Sequence, residues 1–296
     1  MDINTTPLWT AIITPMLQDG EVDYDSLENL LNAQNEAGNG ILILGSTGEA
    51  LNLDEEESIK VLEFTCAIPR KVPLMCGIGG INLRHTIKWT NFLNKLDIDC
   101  YLVVTPLYAK PGDEGQYEWF KAVMDKAVKP CMLYNVPSRT GKDMSLEAVK
   151  RLNTHKNFWA IKEASGSVDM FAKYVEAAGE NGRVYSGDDA MMPDFTKVGA
   201  KGLVSVASNV WPKETHLYVK KCLDSSLSEE EAKLWVDSTN SLFVASNPIP
   251  VKWLMTIKGK IPSGALRAPL TLKDMVDKNV VTESHENIIN WYKESV

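Results

Sequence analysis

The chain has 296 residues, enough for one large domain or two ordinary ones. Its hydrophobic fraction of 44% is that of a globular protein with a sizeable core. A formal net charge of −8, with both signs interspersed, argues against nucleic acid or an anionic membrane as partner. A small anionic substrate stays open, because a few local cations outweigh a distant net charge. Five dispersed cysteines (Cys66, Cys76, Cys100, Cys131, Cys222) form no CxxC pair and read as reduced thiols in a cytoplasmic protein. No basic segment followed by an apolar run opens the chain, so no signal peptide is expected. No apolar stretch approaches the roughly 20 residues that span a bilayer.

In chain order, 9–15 is strand-like and stops at a proline. Residues 23–37 carry Leu27, Leu30 and Leu31 at helical spacing, and Gly38 closes the segment. A second apolar run covers 40–45. Asp54 caps the next helix, with Glu55, Glu56 and Glu57 in its first turn, where negative charge suits the dipole. Further strands are expected over 73–77, 100–105, 131–135, 158–162, 184–187 and 202–206. Amphipathic helices fall between them, among them 83–96, 145–152 and 169–178. Strands that read as continuous apolar runs are buried on both faces, as parallel sheets are. Eight such βα units fit a closed (β/α)8 TIM barrel over 1–225. A doubly wound open sheet is the competing architecture, and no G-x-G-x-x-G follows the first strand to support its dinucleotide-binding form. From 226 to 296 only helical patterns remain, over 228–244, 250–258, 272–277 and 283–292. Ser228 and Glu231 form a capping box. The expectation is a C-terminal helical extension.

Chemistry in such a barrel sits at the C-terminal ends of the strands. The sixth strand ends in Lys162 after four apolar residues. Burial disfavours an ammonium, and a neutral amine can attack a ketone to form a Schiff base. Taken alone, such a lysine more often caps a strand and reaches solvent. The second strand delivers Gly45-Ser46-Thr47-Gly48-Glu49, whose hydroxyls and backbone N–H groups could hold a carboxylate or phosphate, or form an ordinary turn. The fifth delivers Tyr134, able to move a proton or to serve as a core aromatic, and then Arg139, able to grip a carboxylate bidentately. The fourth delivers Tyr108, for which packing is the plain alternative. The seventh delivers Gly187-Asp188-Asp189, where Asp188 is read as the cap of a following helix. None of the four histidines (His85, His155, His216, His285) falls at a strand end. Serine–histidine catalysis and a zinc site therefore lack their parts, and no metal or cofactor is expected.

These motifs, with Ile161-Lys162-Glu163-Ala164-Ser165-Gly166, Ser246-Asn247-Pro248 and Leu266-Arg267-Ala268-Pro269-Leu270, resemble the pyruvate-dependent class I aldolase family that includes N-acetylneuraminate lyase. The resemblance covers essentially the whole chain. It implies that Lys162 condenses with pyruvate, that Ser46 and Thr47 hold its carboxylate, and that Gly187 and Val204 meet substrate through backbone carbonyls. Tyr134 would shuttle protons, with Thr47 linking it to a Tyr108 that reaches across from a neighbouring subunit. Arg139 would hold the carboxylate of aspartate 4-semialdehyde, the second substrate. Sialic-acid lyases carry a small apolar stretch in place of Ser138-Arg139, which separates this chain from them. A 2-keto-3-deoxy sugar acid aldolase and a non-catalytic sensing barrel are the other readings. The family implies a homotetramer built as a dimer of dimers.

Many members bind free lysine as a feedback inhibitor at a subunit interface. The bacterial pattern for that site has two histidines after the Gly-Ser-Thr-Gly-Glu segment, a glutamate after the third strand's asparagine, and a tyrosine before the relay tyrosine. Here 53–58 cover the histidine positions without a histidine, Asn82 is retained, Thr86 stands where the glutamate would be, and Leu107 replaces the tyrosine. Weak or absent inhibition by lysine is expected.

Overall fold

Each apolar run folds as a strand with almost every side chain buried, as expected where both faces are covered. The computed structural model describes residues 1–180 and 182–296. Among them are β1 (Leu8–Ala11), β2 (Gly40–Ile43), β3 (Leu74–Ile78), β4 (Cys100–Val104), β5 (Cys131–Asn135), β6 (Phe158–Glu163), β7 (Arg183–Ser186) and β8 (Leu203–Ser205). They follow one another in sequence order round a closed parallel barrel. The expected (β/α)8 architecture is therefore the observed one. The helices are α1 (Tyr24–Ala37), α2 (Glu55–Ala67), α3 (Leu83–Leu93), α4 (Asp113–Lys126), α5 (Pro137–Thr140), α6 (Leu146–Leu152), α7 (Val168–Ala178), α8 (Met192–Lys197), α9 (Pro212–Leu223), α10 (Glu229–Ser241), α11 (Ile249–Ile257) and α12 (Lys278–Ser295). No helix among the described residues is long and apolar enough to cross a membrane.

Several boundaries differ from the sequence expectation, among them the last helix, which opens at Lys278 rather than at 283. The first strand ends at Ala11 rather than at residue 15. Ile12 N still donates to Leu42 O at 3.0 Å, but Ile13 N turns to Asn209 Oδ1 at 2.9 Å and leaves the ladder. The segment expected as a helix over 272–277 is only a 3-10 turn, Leu272–Asp274, because Met275 returns to an extended conformation. Asp188 does not cap α8. Its Oδ1 accepts from Ala190 N at 3.0 Å, a tight turn, and α8 begins only at Met192.

Contacts group the chain into two compact units. One comprises Met1–Pro7 and Pro73–Val204, the other Leu8–Val72 and Ser205–Val296. The helices after residue 226 thus share a unit with β1 and β2. In that unit Tyr218 stacks on Trp235 at 4.2 Å between ring centroids, and Trp291 of α12 meets Trp235 edge-on at 5.2 Å. The Ser228–Glu231 capping box opens α10 as expected.

In the other unit, β5 and β6 do not pair in simple register. Cys131 faces Phe158, but Met132 faces Ala160, so Trp159 is an extra residue in β6. Its indole N–H donates to Asn4 Oδ1 at 3.1 Å. A bulge of this kind re-aims every side chain beyond it. Here it sets Tyr134 opposite Lys162 and Asn135 opposite Glu163.

Candidate active site

Val104, Tyr134, Lys162 and Tyr185 form one in-register row across β4, β5, β6 and β7. Side chains paired in register point to the same face. Lys162 and Tyr134 therefore meet, with Nζ 4.3 Å from the centre of the tyrosine ring. Lys162 is only 6% exposed. Burial pushes its amine down to about 7, and the Arg139 charge pushes the same way, while buried Asp189 opposes both. An ordinary lysine at pH 7 is neutral in roughly one molecule in a few thousand. At a pKa of about 7, about half the molecules carry the free amine. Burial also raises the Tyr134 phenol to about 12, partly offset by Arg139 and reinforced by Glu163 and Asp188. The phenol is thus a proton donor at neutral pH.

The residues following these two tie the strand ends together. Asn135 Nδ2 donates to Glu163 Oε2 at 2.6 Å, and Asn135 Oδ1 accepts from Met144 N at 2.7 Å. Glu163 Oε1 accepts from Ser165 N at 2.9 Å. Burial raises the Glu163 carboxyl, and these donors partly offset that. Gly187 N donates to Glu163 O at 2.7 Å, which carries the β6–β7 pairing past the end of β7. A Cβ on Gly187 would lie 2.8 Å from Ala164 Cβ and 2.9 Å from Lys162 Cε. Glycine is required there because the lysine side chain lies against the backbone. Val204 is buried within β8. Arg139 is exposed on α5, a single turn started by Pro137 at its first position and closed by Gly141 in the left-handed region. Tyr108 is not packed against the site in the single chain. It is 89% exposed and holds a positive φ of 65°, a conformation that costs a non-glycine residue.

The Ser46–Thr47 turn follows β2 in the other unit. Of the backbone donors expected to cradle an anion two are already used, as is the next N–H along the chain. Gly48 N donates to Gly45 O, Glu49 N to Ser46 O, and Ala50 N to Gly45 O. Ser46 is exposed and Thr47 buried. Gly48 leaves no room for a side chain, because a Cβ there would sit 3.0 Å from Ile12 O.

Sequence reasoning missed what holds this turn. Asn247 Nδ2 donates to Thr47 Oγ1 at 2.9 Å. Lys252, fully buried in α11, is paired with Glu49 at 2.5 Å and also donates to Ala265 O at 2.9 Å. Arg267 N donates to Glu49 Oε2 at 3.2 Å, and its guanidinium reaches Gly20 O, Asn52 O and the Glu57 carboxylate. One signal was available: a single lysine inside the apolar run Ile249–Ile257 implies a buried counter-charge.

Residues 4–287 match the dihydrodipicolinate synthetase family. The chain belongs to that family. The 4-hydroxy-tetrahydrodipicolinate synthase of Francisella philomiragia is 46% identical over 292 residues, 99% of this chain and 98% of that protein. The dihydrodipicolinate synthase of Acinetobacter baumannii, solved in complex with pyruvate, superposes with a TM-score of 0.87 at 35% identity, covering 96% of this chain and 98% of that one. The enzyme of Cyanidioschyzon merolae, solved with lysine bound, gives a TM-score of 0.90 at 32% identity over 97% and 99%. Membership makes the chain an enzyme of the lyase class, with the 4-hydroxy-tetrahydrodipicolinate synthase function its relatives carry.

Proposed function

We propose that the chain condenses pyruvate with L-aspartate 4-semialdehyde through a Schiff base on Lys162, giving 4-hydroxy-tetrahydrodipicolinate for lysine and diaminopimelate synthesis in the cytoplasm. The carrying observation is the buried Lys162 amine, brought down to about 7 and set against the Tyr134 ring. The neutral Nζ attacks the ketone carbon of pyruvate, and the carbinolamine loses its hydroxyl as water after taking a proton from the Tyr134 phenol. The iminium draws electrons from the pyruvate methyl, which loses a proton. The resulting enamine carbon attacks the aldehyde of the second substrate. That substrate's own amine then adds to the imine carbon, closes the ring and frees Lys162.

In this reading Ser46 and Thr47 take the pyruvate carboxylate, and Gly187 and Val204 offer backbone carbonyls. Arg139, an exposed cation on a rigid turn, takes the carboxylate of the semialdehyde. Tyr108 acts on a neighbouring subunit, supported by its exposure and its strained backbone. The assembly is a homotetramer, a dimer of dimers. The Arg139 cation favours this activity over the sialic-acid lyase one.

Free lysine is a weak effector or none. Asn82 Oδ1 caps α3 by accepting from His85 N at 3.1 Å, and the Thr86 hydroxyl, in place of a carboxylate at that position, donates to Asn82 O at 3.0 Å. Glu57 is engaged by Asp54 N and Arg267.

The test is reduction with borohydride in the presence of pyruvate, followed by peptide mapping. An adduct on Lys162, lost in Lys162→Ala, is expected. Labelling elsewhere, or none, overturns the mechanism.

A further inference from the structure

We infer that Asn247 is a positioning residue that fixes the direction of proton donation by Thr47. The inference rests on the proposed Schiff-base reading, in which the Thr47 hydroxyl links the proton-moving tyrosines. Thr47 is 4% exposed and Asn247 7%, so bulk water does not set the orientation of this hydroxyl. The amide group Nδ2–H2 of Asn247 donates to Thr47 Oγ1 at 2.9 Å, and an amide nitrogen cannot accept. Thr47 must therefore accept at this contact and keep its own proton for another partner. Among the described residues this is the only hydrogen bond that the Thr47 side chain makes. A hydroxyl that accepts one hydrogen bond is polarised into a better donor for the next.

The frame around the turn makes the direction persistent. Glu49, two residues on, adopts a positive φ of 55° and is held by buried Lys252 and by the Arg267 backbone. Gly48 O accepts from the Thr14 hydroxyl at 2.7 Å. With the two residues after Thr47 held in this way and its side chain buried, the direction of its O–H is set at the contact with Asn247. The chemistry needs this, because Schiff-base formation moves a proton to a leaving hydroxyl, and a relay whose members can point either way delivers it only part of the time.

The experiment compares Asn247→Ala and Asn247→Asp in the full chain, reading kcat, the KM for pyruvate, the pH profile and the melting temperature. Asn247→Ala is expected to lower kcat about tenfold with the KM for pyruvate within about twofold, as for loss of an orienting contact. Asn247→Asp is expected to lie below the alanine variant at pH 8, because an ionised carboxylate accepts the Thr47 proton and reverses the contact. The gap should close as the pH falls, since a protonated carboxyl can donate again. An aspartate variant as active as the parent at pH 8, or two variants that differ only in melting temperature, overturns the assignment. Should the aspartate variant not fold, Asn247→Ser, which restores a donor, is expected to recover part of the alanine variant's loss, and no recovery overturns it. Borohydride trapping of the parent with pyruvate separates the two claims. No adduct on Lys162 sinks both. An adduct together with unaffected variants sinks only the role of Asn247.

Discussion

In the proposed mechanism the chemistry turns on whether one nitrogen carries a proton. With the Lys162 amine near 7, the reactive form is the neutral one, so protonation on the acidic side removes the nucleophile. The rate of adduct formation with pyruvate should fall about tenfold per pH unit below about 7 and level off above it, since the Tyr134 phenol stays protonated up to about 12. A plateau running unchanged down to pH 5 in stopped-flow trapping would contradict the burial argument. Gly187 is the second residue on which the proposed reactivity depends. Gly187→Ala puts a methyl 2.9 Å from Lys162 Cε, so the amine must move. Displacement of a reacting group by a fraction of an ångström costs on the order of 10–100-fold in kcat. The melting temperature should fall as well, because the same methyl lies 2.8 Å from Ala164 Cβ, but the drop in kcat should persist at temperatures where the variant is fully folded. Parent-like turnover in Gly187→Ala would show that the lysine is not pressed against that backbone.

At the scale of elements, the barrel was legible because its strands are apolar runs punctuated by proline and glycine. Two things were not. The extra residue in β6 leaves no mark in hydropathy, since Phe158, Trp159 and Ala160 are all apolar whichever way they point. Yet that residue places Tyr134 beside Lys162. The turn α5 was also invisible, because four residues carry no helical period, and Arg139 was found by its charge rather than its element. The site residues at strand ends were readable from position alone, whereas Asn247, about 200 residues from Thr47 in sequence, had a motif but no assignable task. The buried pair of Lys252 and Glu49 is the element-scale contact most open to test. Lys252→Met strands a carboxylate among apolar groups and should lower stability by about 3–5 kcal/mol in chemical denaturation. Adding Glu49→Gln should recover part of the loss. A double variant no better than the single one would show that the lysine contributes packing rather than charge.

The molecule as a whole belongs to a family in which one relative was solved with lysine bound. Thr86 and Leu107 leave this chain without the acid and the tyrosine of the bacterial pattern, so lysine at the concentrations that half-inhibit sensitive relatives should change turnover little. Half-inhibition at the concentrations that stop sensitive relatives would refute that. The last fifty residues have a larger consequence. Asn247, Lys252 and Arg267 all reach back to the turn and helix that follow β2. A shortened chain ending after β8 would keep every strand and Lys162, and is expected to be no minimal catalyst. Glu49 would lose its buried lysine, and Thr47 the amide on which the proposed proton relay relies. Anyone trimming this scaffold, or grafting its barrel onto another protein, must carry the tail along as part of the working machine.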